Sequence, residues 1–201
     1  MSQPTMAAGF AAAFLEYAES RGAPRADLLA ASGLQSADLS YQDARVPVAA
    51  YQALVAVAVE TTGDTALLLR HTLDSKLETI SVVGQIVHAA QSLSHSIAQL
   101  NRYLHLMAEV DIAGARDRFE LREETGTAWI VDHIAVAGPD YIALEASFAR
   151  FISEFHRSFP DTPFALEMEV TYLLGRSNVP ERVPGTSKNC PDPGGAVSMM
   201  C

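Results

Sequence analysis

Of the residue types that carry acid–base, nucleophilic or metal chemistry, this chain offers six histidines and two cysteines, and their spacing supports none of those reactions. Metal ligands on one helix must share a face, three or four residues apart, and no two histidines stand so within one helical stretch. His88 and His95 fall on the polar sides of their segments. Asp132 and His133 are neighbours in an alternating run, so as strand residues they point to opposite faces and make no dyad with each other. His133 shares its face with Trp129 and Val131, which suits a core or pocket-lining histidine better than a base. There is no Gly-x-Ser-x-Gly, no glycine-rich phosphate loop, no His-Glu-x-x-His and no dinucleotide fingerprint. A base at His133 or His105 would stand without any accompanying motif. The expectation is a protein that is not an enzyme, with no cofactor and no metal.

What remains is recognition. Arg102 and Tyr103 lie beside the apolar stripe of a helix, Trp129 and His133 lie on one strand, and Glu145 lies on a long helix. A few polar groups set against apolar walls is the usual composition of a small-molecule site. These five residues are the candidate ligand contacts. The pocket is expected between the helix at 93–107, the strand of Trp129 and the helix at 141–155.

The elements that must hold those residues are legible from their punctuation. A first helix is expected at 4–20, stopped at Gly22, and Pro24 opens a short one at 26–32 that ends in Ser32-Gly33-Leu34, a glycine cap followed by an apolar residue. Val46-Pro47 reads as the start of a helix carrying Val48, Tyr51, Leu54, Val55 and Ala58 on one face, until Thr62-Gly63-Asp64 ends it. Residues 65–71 give another turn or two. From Thr79 a helix carries Ile80, Val83, Ile86, Val87 and Ala90. Ser92 then caps the clearest core helix, with Leu93, Ile97, Leu100, Leu104 and Met107 on one stripe.

After Gly114 the period changes to two. Phe119 and Leu121 alternate with Arg118, Glu120 and Arg122, and Thr125-Gly126 turns the chain into a second strand, so 118–133 is a hairpin. Gly138-Pro139 opens a long helix with Tyr141, Leu144, Phe148, Phe151 and Phe155 along one face, ended by Pro160. That face needs a partner, for which the hairpin is the natural candidate. Residues 164–172 alternate strictly and form a strand. Helices, hairpin, helix and strand in this order make an α+β fold: a helical N-terminal half packed with a small antiparallel sheet and a long C-terminal helix.

Composition bounds the rest. With 49% hydrophobic residues the chain can bury a real core, and its formal charge of -10 sets it against the phosphates of a duplex. The longest uncharged apolar stretch, 46–59, falls short of the roughly 20 residues that cross a bilayer. A cytoplasmic protein without membrane or nucleic-acid contact is expected. Residues 1–173 read as one domain. Residues 174–201 hold four prolines (Pro180, Pro184, Pro191, Pro193), four glycines and both cysteines, Cys190 and Cys201, and read as a flexible end outside the domain.

A resemblance rests on particular residues: Leu29 and Gly33-Leu34 closing an early helix, Arg45-Val46-Pro47 before the next, Thr62-Gly63-Asp64 as a turn, and Leu100-Asn101-Arg102-Tyr103 in the helix that feeds the hairpin. Over about residues 10–172 this pattern resembles the N-terminal, arabinose-binding-like effector domain of AraC-type transcription regulators, a bacterial family. The resemblance implies a domain that senses a small-molecule effector or forms a homodimer, with DNA bound by a separate helix-turn-helix domain, which this chain is expected to lack. The end from Leu174 departs from the family pattern, and a truncated or frameshifted product that does not bind DNA by itself is the expectation. The competing reading is a purely structural dimerisation module without a metabolite.

Overall fold

A computed structural model describes residues 3–112, 114–124, 127–134, 141–158, 167–169 and 197–200, with backbone alone for 124, 127–128, 141–145, 167–169 and 197–200. Contacts divide the chain into two compact units. The helical unit comprises Met1–Val110 with Val136–Pro163, and the sheet unit comprises Asp111–Ala135 with Phe164–Cys201. The fold class is α+β.

The helical unit opens on a short strand, β1 (Thr5–Ala7), antiparallel to β2 (Arg45–Pro47). This corrects the expected helix at 4–20, which begins three residues later as α1 (Ala8–Ser20). The cause is a set of polar clamps. Thr5 donates its amide and hydroxyl to the Glu109 carboxylate at 2.7 and 3.0 Å, and the Arg45 guanidinium binds the Thr5 hydroxyl and carbonyl and the Leu106 carbonyl at 2.8–3.0 Å. These bonds hold the Glu109 carboxyl below its usual range, the Thr5 amide contributing most. Arg45, the arginine of the Arg-x-Pro motif, thus ties the chain's start to the far end of a later helix.

Helix α2 (Arg25–Ser32) ends at Gly33 and α3 (Val48–Thr62) ends at Gly63, both glycines at φ 67°, where a Cβ would be strained. Leu34, after the first cap, is buried. Pro47 proves to be the residue before the helix rather than its first member, with ψ at 137°. Asp64 closes the second turn by accepting the Ala66 amide at 3.0 Å and pairing with Arg70 at 3.2 Å. Phe14, Leu15, Leu28, Leu54, Ala58 and Leu67 are fully enclosed in one core, and Val48, Tyr51 and Val55 pack against it, the face read from the sequence.

Helix α4 (Leu67–Asp74), about two turns long, follows. The single helix expected from Thr79 is two: α5 (Leu77–Ile80) and α6 (Val82–His88). Ser81 breaks it. Its backbone is extended, and its hydroxyl accepts the Gly84 amide at 3.1 Å, so a residue inside the apolar pattern acts as an N-cap. Ser92 caps α7 (Leu93–Met107) by accepting the His95 amide, and Ile97, Leu100 and Leu104 are buried as their spacing requires. The long helix, α8 (Tyr141–Ser158), buries Phe148 and Phe155. Its partner in this unit is α4, to which it is tied by the Ser153 hydroxyl on the Leu73 carbonyl at 3.0 Å.

The sheet unit is four-stranded and antiparallel, in the order β3 (Phe119–Glu124), β4 (Thr127–Asp132), β6 (Val197–Met200), β5 (Glu167–Glu169). Phe119 stands opposite Asp132 and Glu124 opposite Thr127, the hairpin read from the alternation. The strand expected at 164–172 is described at its centre, Glu167–Glu169. Val197–Met200 lies inside the end read as lacking regular structure. It follows the last Pro-Gly cluster and contains neither residue, so its amides are free to join a ladder. Residues 170–196 lie outside the described residues, and so does most of the segment read as a flexible end.

Arg118, which alternates with the apolar positions of the hairpin, is itself buried, and its Nε and Nη2 reach the two oxygens of the fully buried Asp132 at 2.9 and 2.8 Å. The Asp132 carboxylate also accepts the Ile134 amide at 3.0 Å. A charge is buried here because a bidentate partner satisfies it.

Candidate functional site

The described residues of the helical unit enclose an apolar cleft of about 60 Å³ between α5, α6, α7 and α8. Its walls follow from helical periodicity. On α7, Leu93, Ser96, Ile97 and Leu100 recur at the three-and-four spacing of one face, and on α8 Phe151, Glu154, Phe155 and Ser158 do the same. Leu77, Gly84, Val87 and His88 complete the lining.

Gly84 sets the cleft's shape. A Cβ at this position would overlap the Leu77 carbonyl, so only glycine lets α6 lie this close to α5. In an exposed helix, glycine to alanine gains about 1 kcal/mol of helix propensity. Here the overlap dominates, and Gly84→Ala should lower the stability of the helical unit by roughly 1–3 kcal/mol. Urea unfolding followed by helical circular dichroism checks this; a variant as stable as the parent would show that α5 and α6 separate freely.

Beneath the apolar walls runs an ion network. Glu154 accepts the Leu77 amide and the Arg157 guanidinium, each at 2.9 Å, and stands 3.7 Å from Arg150. Arg150 in turn donates to the Ser75 carbonyl at 2.6 Å and hydroxyl at 2.8 Å, and Arg157 to the same carbonyl at 2.9 Å. Two guanidiniums thus satisfy the end of α4 and fix α8 against it. Burial lowers the Arg150 pKa, opposed by Glu154.

Next to this network lies a histidine that the sequence does not single out. His71 on α4 is buried against Phe14 and Tyr17, with ring centroids 5.5 and 5.1 Å away, and its Nδ1 has no hydrogen-bond partner among the described residues. Burial, helped by the charge of Arg150, lowers its pKa to about 4, so it is neutral at physiological pH. Burial likewise pushes the Tyr51 phenol far above its usual range. The signal is available only indirectly: His71 follows Leu67 by four residues and Leu68 by three, and so shares their inner side of α4.

The five candidate contacts are placed as follows. Arg102 is exposed on α7, its guanidinium 5.4 Å from the ring centre of the half-buried Tyr103. Trp129 is half-buried on β4, opposite Arg122 and Met200 in the sheet. His133 sets Nε2 2.9 Å from the Glu120 carboxylate, and its amide donates to the Arg118 carbonyl at 2.7 Å. Arg122 and His133 together hold the Glu120 carboxyl below its usual range. Glu145 lies on the first half of α8, where the backbone alone is described. Arg102 and Tyr103 belong to the helical unit and Trp129 and His133 to the sheet unit. The described side chains of Arg102, Tyr103, Trp129 and His133 are not in the lining of the cleft, whereas α7 and α8, two of the three elements expected to form a pocket, contribute to it.

Among the described residues no group of three His, Cys, Asp or Glu side chains converges on a point that would hold a metal. No single helix among them is long and apolar enough to cross a membrane.

A comparison with curated proteins finds no match. A family model described as the N-terminal arabinose-binding domain of AraC transcription regulators matches residues 22–173. The matched span runs from just before α2 through α8 and β5, and so takes in the cleft, the hairpin and the Arg45 and Thr62-Gly63-Asp64 motifs. Covering more than half of the chain, this match places the protein in the family of N-terminal arabinose-binding domains of AraC transcription regulators.

Proposed function

We propose that this chain is the effector-sensing and dimerising part of an AraC-type regulator, working in the cytoplasm and taking a small molecule into the cleft of its helical unit. The observation that carries the reading is the cleft itself: apolar walls on two long helices with a few polar groups at hand, the composition of a ligand site, in a domain of a ligand-binding family. Of the five candidate contacts, Tyr103 fits most directly, since it follows Leu100 on α7 by three residues, one turn of the helix. Operator binding by this polypeptide alone is no part of the proposal, because a net charge of -10 opposes the phosphates of a duplex.

Thermal unfolding in the presence of amino acids, sugars, aromatic acids and aliphatic compounds tests the sensing role. A ligand at 100 times its Kd stabilises the folded state by about 2.7 kcal/mol and raises the melting temperature. Sedimentation velocity should show a dimer, and a gel shift at low salt should show no sequence-specific complex. A stable dimer whose melting temperature no compound moves would replace sensing with a purely structural role.

A further inference from the structure

We infer that the cleft takes the uncharged, aliphatic end of its ligand and excludes both charged groups and aromatic rings; this rests on the sensing role proposed above and specifies its ligand class. Charge is decided by Glu154, the carboxylate in the lining. It already accepts two hydrogen bonds and lies beside both Arg150 and Arg157. A buried ammonium group would have to compete with two guanidiniums for that carboxylate. A buried carboxylate would face it across a low-dielectric space, where like charges repel most strongly. Neither arginine lines the cleft, and both donate to the Ser75 carbonyl. The apolar walls, among them Leu77, Leu93, Ile97, Leu100 and Phe155, offer only dispersion contacts and the removal of apolar surface from water.

Size decides the rest. An enclosed cavity of about 150 Å³ accepts benzene. The cleft's volume of about 60 Å³ is well under half of that, so a ring enters only if Phe151 or Phe155 moves. The space suits roughly two methylene-sized groups, judged against the ~30 Å³ share of one water. His88 and Ser158 line the cleft and are exposed, which marks its solvent side. A hydroxyl or carbonyl a few carbons from the buried end would meet the imidazole of His88 or the Ser158 hydroxyl there.

The test is a ¹H–¹⁵N correlation titration of the full chain with 1-hexanol, hexanoate, hexylammonium and benzyl alcohol. 1-Hexanol should give saturable shifts at the Leu77, Leu93 and Leu100 amides, with the three other probes at least tenfold weaker. Ile97→Phe, which fills the cleft, should reduce 1-hexanol binding tenfold or more. Should that variant lose its dispersed spectrum, Ser96→Leu, at the edge of the same face, serves instead. Tighter binding of either charged probe or of benzyl alcohol, or 1-hexanol binding unchanged in the filled variant, overturns the ligand class. If 1-hexanol fails while another metabolite raises the melting temperature, the class is wrong and the sensing role stands. If nothing binds by either measurement, both fall.

Discussion

Asp132→Ala should destabilise the sheet unit by about 3–5 kcal/mol, the cost of removing one partner of a buried, bidentate ion pair. Asp132 is fully buried, and its two oxygens accept hydrogen bonds from Nε and Nη2 of Arg118 at 2.9 and 2.8 Å. The substitution also removes the acceptor of the Ile134 amide at the end of β4. The chain has one tryptophan, Trp129, three residues away on the same strand, so urea unfolding followed by its fluorescence reports on this unit directly. Replacing both partners, Arg118→Met with Asp132→Leu, should recover most of the loss, since an apolar pair of similar volume carries no desolvation cost. A loss below about 1 kcal/mol for Asp132→Ala would mean that water reaches the pair and that it behaves as a surface bridge.

The helical unit should lose stability on mild acidification because of His71. Its pKa is about 4 in the folded state and 6.5 in its ordinary one, so the unfolded chain binds the proton more readily. The contribution of neutral His71 is therefore fully present above pH 6.5 and is lost as the pH falls from there towards 4. By pH 4.5 the loss should amount to roughly 2–3 kcal/mol, at about 1.4 kcal/mol for each pH step of one between the two pKa values. Glu109 and Glu120 have pKa values lowered from 4.5, so their stabilising contributions fade below that pH and leave the window from 6.5 to 4.5 to the histidine. Urea midpoints followed by helical circular dichroism at pH 7, 5.5 and 4.5 give the profile. His71→Phe keeps the ring between Phe14 and Tyr17 and should flatten it. A slope that persists in this variant would assign the acid sensitivity to other groups.

The candidate site is half legible in the sequence. The α7 face that lines the cleft, Leu93, Ile97 and Leu100, is marked by its spacing, and α8 is expected opposite it through Phe151 and Phe155. Glu154 is not among the sequence candidates because one sequence cannot tell which carboxylate on a helix meets two arginines. That depends on Ser75 and Leu77, about eighty residues earlier, folding back against α8. Residues chosen for their type, such as Trp129 and His133, belong to the sheet unit, where His133 engages Glu120.

Local signals were sufficient wherever one turn of chain decides the outcome. Glycine at a left-handed cap after Ser32 and Thr62, serine before α7, and the change from a period near 3.6 to a period of 2 after Gly114 all act within a few residues, and each appears in the fold where it was read. Tertiary structure alone decided the strand at Thr5–Ala7, the neutrality of His71 and the burial of Arg118. In each of these a partner outside the local segment outweighs local preference: Glu109 for Thr5, the Phe14 ring beside His71, and Asp132 on the paired strand for Arg118. A backbone bond or a desolvated charge costs more to leave unsatisfied than a helix propensity contributes, and its partner is fixed only once the chain has closed on itself.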